Sequence, residues 1–244
     1  MKILKSLFFV SFLLLGAASV ANSQSSTSPL RKNVFKVNII PPLLSATSEI
    51  SYERFVKPNL SIVAGFGANW SADRSDFQLN SNADLAFLNT DIQNRYFLAE
   101  VRRYIDFSEC NTPYGFYTGG FMRYRSIDYS ADAQFGNSIT KVSPKVNLEY
   151  RALNFGILLG YQVHLKNNWH FDFEFLGVGY SPNRVRFNSS ITLSSGELSR
   201  LSDALNQNFG IGGNYRDIEL NSRSLEFNFW YWTVRYGVSI GYSF

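Results

Sequence analysis

The stretch Trp232-Thr233-Val234-Arg235-Tyr236-Gly237-Val238-Ser239-Ile240-Gly241-Tyr242-Ser243-Phe244 decides the fold. Trp232, Val234, Tyr236, Val238, Ile240, Tyr242 and Phe244 share one parity, and Thr233, Arg235, Gly237, Ser239, Gly241 and Ser243 take the other. Successive side chains of a strand point to opposite faces, so one face is apolar throughout and the other is small, polar or charged. The same period recurs upstream. Leu60, Ile62, Ala64, Phe66, Ala68 and Trp70 alternate with Ser61, Val63, Gly65, Gly67 and Asn69. Leu153, Phe155, Ile157, Leu159, Tyr161 and Val163 alternate with Asn154, Gly156, Leu158, Gly160, Gln162 and His164. Trp169, Phe171, Phe173 and Phe175 alternate with His170, Asp172 and Glu174. Weaker strands cover Asn33 to Ile40, Thr47 to Phe55 and Ile92 to Ile105. Gly115 to Tyr129 is a strand whose facing is ambiguous around Tyr117 and Phe121, and it completes a set of eight.

Two architectures produce this alternation. A soluble sandwich or lipocalin-like barrel turns its apolar face inward. An outer-membrane barrel exchanges the faces, apolar to lipid and polar to the lumen. Several strands span 10 to 14 residues, against about 5 to 6 for an ordinary strand and about 9 to 11 for a membrane strand. Their polar faces are rich in Gly and Ser with sparse charges, which suits a crowded lumen. Aromatics near strand ends (Trp70, Tyr104, Trp169 and Trp232) are placed to form two interfacial girdles.

Connection lengths test this independently. With the N-terminus periplasmic, connections two, four and six are short turns: Lys57-Pro58-Asn59, roughly Asp106 to Pro113, and Lys166-Asn167-Asn168. Connections three, five and seven face outward and are long, about Ser71 to Asp91, Ser130 to Val146 and Ser181 to Trp230. The first outer connection, Pro41 to Ala46, is short. Short and long alternate as an up-and-down membrane barrel requires. The expected fold is therefore all-β: an eight-stranded antiparallel up-and-down transmembrane barrel with long extracellular loops. The last of those loops contains a helix over 195–206, with Leu198, Leu201 and Leu205 on one side. Val185 to Leu193 and Ile211 to Leu220 either extend the last two strands beyond the membrane or add a hairpin and make ten strands. Their Asn and Ser content disfavours lipid contact.

The composition agrees. Of 244 residues, 45% are hydrophobic, 16% aromatic and only 17% charged, with 22 Phe, 14 Tyr and 4 Trp. These values exclude disorder, collagen, coiled coil and a disulfide scaffold. Met1 to Ala21 reads as a signal peptide: Lys2 and Lys5, then the apolar run Leu7 to Leu15, then Ser19-Val20-Ala21, with cleavage after Ser23 as an alternative. Residues 22–32 follow as a polar linker, and 33–244 form the barrel. The net charge is +4, two of which leave with Lys2 and Lys5, so no electrostatic footprint for nucleic acid remains.

Eight strands leave an interior only wide enough for side chains. Parity places Lys36, Glu49, Glu53, Glu100, Arg102, His170, Asp172, Glu174 and Arg235 there, and Arg123 and Arg125 join them. Isolated charges in such a space are costly, so a salt-bridged, hydrogen-bonded plug is expected. Ile240, Tyr242 and Phe244 share the outer face at the chain end and resemble the closing-strand signal read by the bacterial barrel-assembly machinery.

Outer-membrane enzymes need a nucleophile or activated water beside a base. The chain has two histidines, His164 and His170, flanking the Lys166–Asn168 turn at the periplasmic rim, and no Ser or Cys is evidently paired with them. One Cys, Cys110, and two His at this spacing match no metal motif. No catalytic, cofactor or metal residue is assigned.

The segments Asn33-Val34-Phe35-Lys36-Val37-Asn38 through Pro42-Leu43-Leu44, Ile50-Ser51-Tyr52-Glu53-Arg54, Gly115-Phe116-Tyr117 with Arg123-Tyr124-Arg125, Leu159-Gly160-Tyr161-Gln162, and Gly237 to Phe244 carry a resemblance. The chain resembles a family of small Bacteroidota outer-membrane barrels, a domain of unknown function in the porin-like superfamily. That resemblance implies location and fold and brings no catalytic residues. The expected function is a non-enzymatic outer-membrane barrel that displays surface loops for adhesion, envelope integrity or partner binding. The alternatives are a narrow channel for small or apolar solutes and, last, a lipid-modifying or proteolytic enzyme. The expected partners are outer-membrane lipid and the assembly machinery.

Overall fold

A computed structural model describes residues 32–40, 47–69, 85–105, 114–135, 145–190, 192, 196, 218–221 and 224–244. Its strands are β1 (Asn33–Asn38), β2 (Thr47–Lys57), β3 (Leu60–Asn69), β4 (Leu85–Tyr104), β5 (Gly115–Phe135), β6 (Lys145–His164), β7 (Trp169–Ser189), β8 (Ile218–Asn221) and β9 (Ser224–Ser243). Neighbours pair antiparallel in the order β1-β2-β3-β4-β5-β6-β7-β9, and β9 returns to β1, so these eight strands close a ring. Closure pairs Val34 with Ser243, Phe35 with Tyr242 and Val37 with Ile240, and the Phe244 amide donates to the Asn33 carbonyl at 3.0 Å. The four-residue β8 pairs only with the first residues of β9. Val185 to Ser189 therefore extend β7 instead of adding a strand to the ring, and β8 is a short appendage on β9.

The turns explain the register. Pro58 and Asn59 close the β2–β3 hairpin. Lys166–Asn168 is a single 3-10 turn in which Asn167 and Asn168 take φ of 61° and 67°. Asparagine tolerates this left-handed region better than other non-glycine residues, which is why this pair can reverse the chain. β7 carries a bulge at Phe175 and Leu176, seen as register shifts against both β6 and β9. Both bulge residues face outward, and the inward parity changes from even to odd beyond them.

Sidedness follows parity in the half of the ring nearest the Lys166–Asn168 turn. Phe97, Val101, Leu153, Phe155, Ile157, Val234 and Tyr236 are exposed, while Lys36, Glu53, Glu100, Arg102, Asp172 and Arg235 are buried. Toward the other end of β4–β7 and β9 the chemistry reverses although the period persists. Outward residues become Asp91, Gln93 and Arg95 on β4, Ser126 and Asp128 on β5, Lys145, Asn147, Glu149 and Arg151 on β6, and Arg184 and Arg186 on β7. The inward residues of the same segments are Ile92, Ile127, Tyr129, Val146, Leu148, Val185 (0% exposed) and Phe187 (1%).

This reversal explains a difference from the sequence expectation. β4 begins at Leu85 rather than Ile92, β5 runs past Tyr129 to Phe135, β7 continues to Ser189 and β9 starts at Ser224. The strands reach 20 or 21 residues because they continue where their outer face is polar, so residues assigned to long loops are strand. β1, β2 and β3 span 6, 11 and 10 residues. The signal peptide, Trp70, Cys110 and, apart from Gly196, the helix expected at 195–206 lie outside the described residues.

Candidate functional site: the ion-paired interior

The interior is built by inward positions of all eight strands of the ring. Lys36 Nζ lies 2.6 Å from Glu53 Oε2 and 2.6 Å from Asp172 Oδ2, and it donates to Gln162 Oε1 at 3.0 Å. Arg102 holds Glu100 Oε2 at 2.6 Å through Nη2 and reaches Asp172 Oδ2 through Nη1 at 2.5 Å. Arg235 contacts Glu100 Oε1 at 2.5 Å and Glu174 Oε2 at 2.9 Å. β9 and β4 lie opposite each other in the ring order, so the Arg235–Glu100 pair crosses the whole lumen. Each carboxylate here has a cation or hydroxyl against it, which is what allows ionised groups to be buried at tolerable cost.

Aromatic hydroxyls complete the network. Tyr117 donates to Asp172 Oδ1 at 2.6 Å and its ring lies 4.5 Å under the Arg102 guanidinium. Ser61 donates to Glu53 Oε1. Tyr96 donates to Glu49 Oε2 at 2.7 Å, and Asn38 reaches Glu49 Oε1 at 3.4 Å. Room for these rings comes from glycines across the ladder. A Cβ on Gly67, the partner of Tyr96, would stand 2.1 Å from that ring, and one on Gly160 would stand 2.3 Å from the ring of its partner Tyr117. The space left between Glu49, Arg102, Glu174 and Arg235 holds about one water.

At the turn end, the rings of the paired residues His164 and His170 are 4.7 Å apart, and Tyr114 lies 4.8 Å and 5.2 Å from them. His170 is fully buried, and neither ring nitrogen has a hydrogen-bond partner among the described residues. These three rings close the floor of the interior.

Lys36, Glu49, Glu53, Glu100, Arg102, His170, Asp172, Glu174 and Arg235 are all buried on the inner face. Arg123 and Arg125 also face inward, with guanidinium groups 5.6 Å and 5.8 Å from the centre of the Tyr96 ring. Tyr104 requires a correction. Placed in the outer aromatic girdle from its sequence position, it is 2% exposed, with its hydroxyl 2.7 Å from both Glu53 Oε1 and Gln162 Oε1. It shares parity with Glu100 and Arg102, and that parity governs its direction more strongly than proximity to a strand end. Trp169 and Trp232 are exposed near opposite ends of the outer band, where Trp169 packs on Tyr242 and Trp232 on Tyr180. Tyr242 and Phe244 are exposed, and Ile240 is half-buried beside Val37. Gln162 lies on the polar face that the alternation of β6 indicates, Tyr96 shares the parity of Glu100 and Arg102, and Tyr117, whose facing the sequence leaves ambiguous, also turns inward.

The fold and interior define a class: an eight-stranded antiparallel ring with an apolar exterior over one half and a charged, self-neutralising interior. A family model described as "Protein of unknown function (DUF3575)" matches residues 33–191, and the chain belongs to that family. The match covers β1 to β7 and stops before the closing strand. No curated protein and no solved structure matches the chain.

Proposed function

We propose that this chain is a non-enzymatic bacterial outer-membrane barrel, exported by its N-terminal segment. Its ion-paired interior closes it to solutes, and its outer strand extension is displayed for adhesion, envelope integrity or partner binding. The observation that carries this reading is the reversal of sidedness along single strands. Apolar side chains face out only over a band, and above that band the same strands face out with Arg, Asp, Glu and Asn. A barrel surrounded by water has no physical reason to expose Phe97, Ile157, Trp232 and Val234 together. A barrel in hydrocarbon does. From Trp232 to Tyr242 the strand rises roughly 33 Å, which a tilt of about 40° reduces to roughly 25 Å, the height of the lipid-facing band of such barrels.

Outer-membrane lipid is then the partner of the exposed band, and the bacterial barrel-assembly machinery that of the closing strand during biogenesis. Closure to solutes is supported by the cross-lumen Arg235–Glu100 pair. The test is the full chain in two assays. Extracted in detergent, it migrates differently on gels before and after boiling, and in planar bilayers it shows no stable conductance. Solubility without detergent would overturn the membrane assignment, and stable ohmic steps would replace the closed barrel with a narrow channel.

A further inference from the structure

Three of the five basic side chains that face the interior (Lys36, Arg102 and Arg235) have a carboxylate oxygen within 3 Å. Arg123 and Arg125 have no carboxylate within salt-bridge distance among the described residues. They occupy successive inward positions of β5, so two like charges are held over one ring, that of Tyr96. The ring cannot withdraw, because it is seated on Gly67 and its hydroxyl is committed to Glu49. Arg125 Nε is buried without a hydrogen-bond partner. A pair of guanidinium groups in a confined, poorly solvated space repels itself unless an anion lies between them.

Other hydrogen-bonding groups converge on the same tier. Arg123 is paired in register with Asn154. With its amide oriented to suit its neighbours, Asn154 accepts from Arg123 Nη2 at 3.2 Å and Nε at 3.3 Å and donates to Ser181 Oγ. Ser181 is paired in turn with Tyr231, whose ring is partly exposed. The tier therefore lies between the ion-paired plug below and the apolar inner wall of Ile127, Leu148 and Val185 above, and it is reachable at Tyr231.

We propose that Arg123 and Arg125 form a binding site for an oxyanion, a phosphate or carboxylate group held by the two guanidinium groups. The inference goes beyond the proposed function, and it rests on the interior of the ring, not on the membrane around it.

The test is calorimetric titration of inorganic phosphate into the full chain in nonionic detergent at constant ionic strength, with unboiled gel mobility reporting that each variant is folded. Saturable binding is expected in the wild type, at least tenfold weaker in Arg125→Gln and in Arg123→Gln. The milder Arg125→Lys keeps the charge without the fork and weakens it by less. Arg151→Gln, on the outer face, leaves binding unchanged. Glu49→Gln tightens it by removing a nearby negative charge. Dodecyl phosphate binding at least tenfold more tightly than phosphate identifies the group as the head of an amphiphile, and equal affinity identifies a free small oxyanion; both support the site. No saturable binding in the wild type, binding that arises only in Glu49→Gln, or binding retained in the folded Arg123→Gln/Arg125→Gln double variant overturns it. None of these results depends on whether the barrel spans a bilayer.

Discussion

Between Trp169 and Glu174, β7 turns Phe171 and Phe173 outward and His170, Asp172 and Glu174 inward. Between Arg184 and Phe187 the same strand turns arginines outward and Val185 and Phe187 inward. Strand, period and antiparallel pairing continue across the bulge at Phe175 and Leu176, which changes the inward parity but does not dictate which kind of residue each face carries. On the outer-membrane reading proposed above, what differs is the medium each face must meet. The outer region obeys the ordinary rule for a protein in water, with an apolar core and outward ion pairs such as Arg151–Asp128 and Arg184–Glu226. The inner region obeys the opposite rule and keeps its charges in a shared interior. One sheet thus contains its own control for the solvent outside it.

The contrast is broken most directly from inside. Lys36 sits between Glu53 and Asp172, so Lys36→Met leaves two buried carboxylates without their shared cation. Removing one partner of a buried ion pair costs roughly 3–5 kcal/mol. Urea unfolding in lipid vesicles is expected to register a loss of that size. A loss below about 1 kcal/mol would mean that the inner region is stabilised by packing, as the outer region is, and not by its charges.

The outer face gives the next largest effect. Ile157 is 68% exposed on the inner half of β6, and Asn147 is exposed on the outer half of the same strand. Arginine at a lipid-facing midplane position costs about 2–4 kcal/mol, whereas an exposed polar position in water tolerates it within about 0.5 kcal/mol. Ile157→Arg is therefore expected to destabilise the barrel in vesicles by several times more than Asn147→Arg. Equal costs would show that both positions meet the same solvent.

The legibility of the sequence divides along the same boundary. In β9, from Trp232 to Phe244, every apolar residue is outward and every small or charged one inward, so parity alone gives strand, face and closure. The interior charges were readable for the same reason. The outer halves of β4 and β5 were not, because a template of apolar-out and polar-in scores Asp128 and Ile127 as the end of the strand when they mark only the point where the chemistry of its two faces reverses. Which cation meets which carboxylate was also hidden. The Arg235–Glu100 pair joins strands far apart in sequence, and its formation depends on ring size and stagger rather than on local pattern. Tyr104 failed differently: a general expectation about aromatics at strand ends was preferred to the parity of its own strand.

Tyr104 consequently sharpens the comparison at a smaller scale. If it faced lipid, Tyr104→Phe would be nearly neutral. Facing Glu53 and Gln162, it supplies a buried donor whose loss costs about 1–3 kcal/mol. Chemical unfolding of the variant separates these outcomes, and a neutral result would return Tyr104 to the outer surface.

The smallest effect belongs to the outer region. Glu226 on β9 accepts from Arg184 at 2.6 Å and from Arg186 at 3.1 Å, and these two guanidinium groups hold its carboxyl below the usual carboxylate range. A depressed folded-state value means that the pair contributes fully above the ordinary carboxyl value of about 4.3 and loses its contribution as pH falls through the lower folded value. Because the pair is mostly solvent-exposed, that contribution is under about 1 kcal/mol and is screened by salt. The informative quantity is the difference between wild type and Glu226→Gln, which isolates this carboxylate from the rest of the protein's response to acid. That difference is expected to shrink as pH falls from about 7 toward 3, and to be smaller at high salt throughout. A difference that instead grew on acidification, or ignored salt, would place Glu226 in the kind of enclosed environment that the inner region has and the outer region lacks.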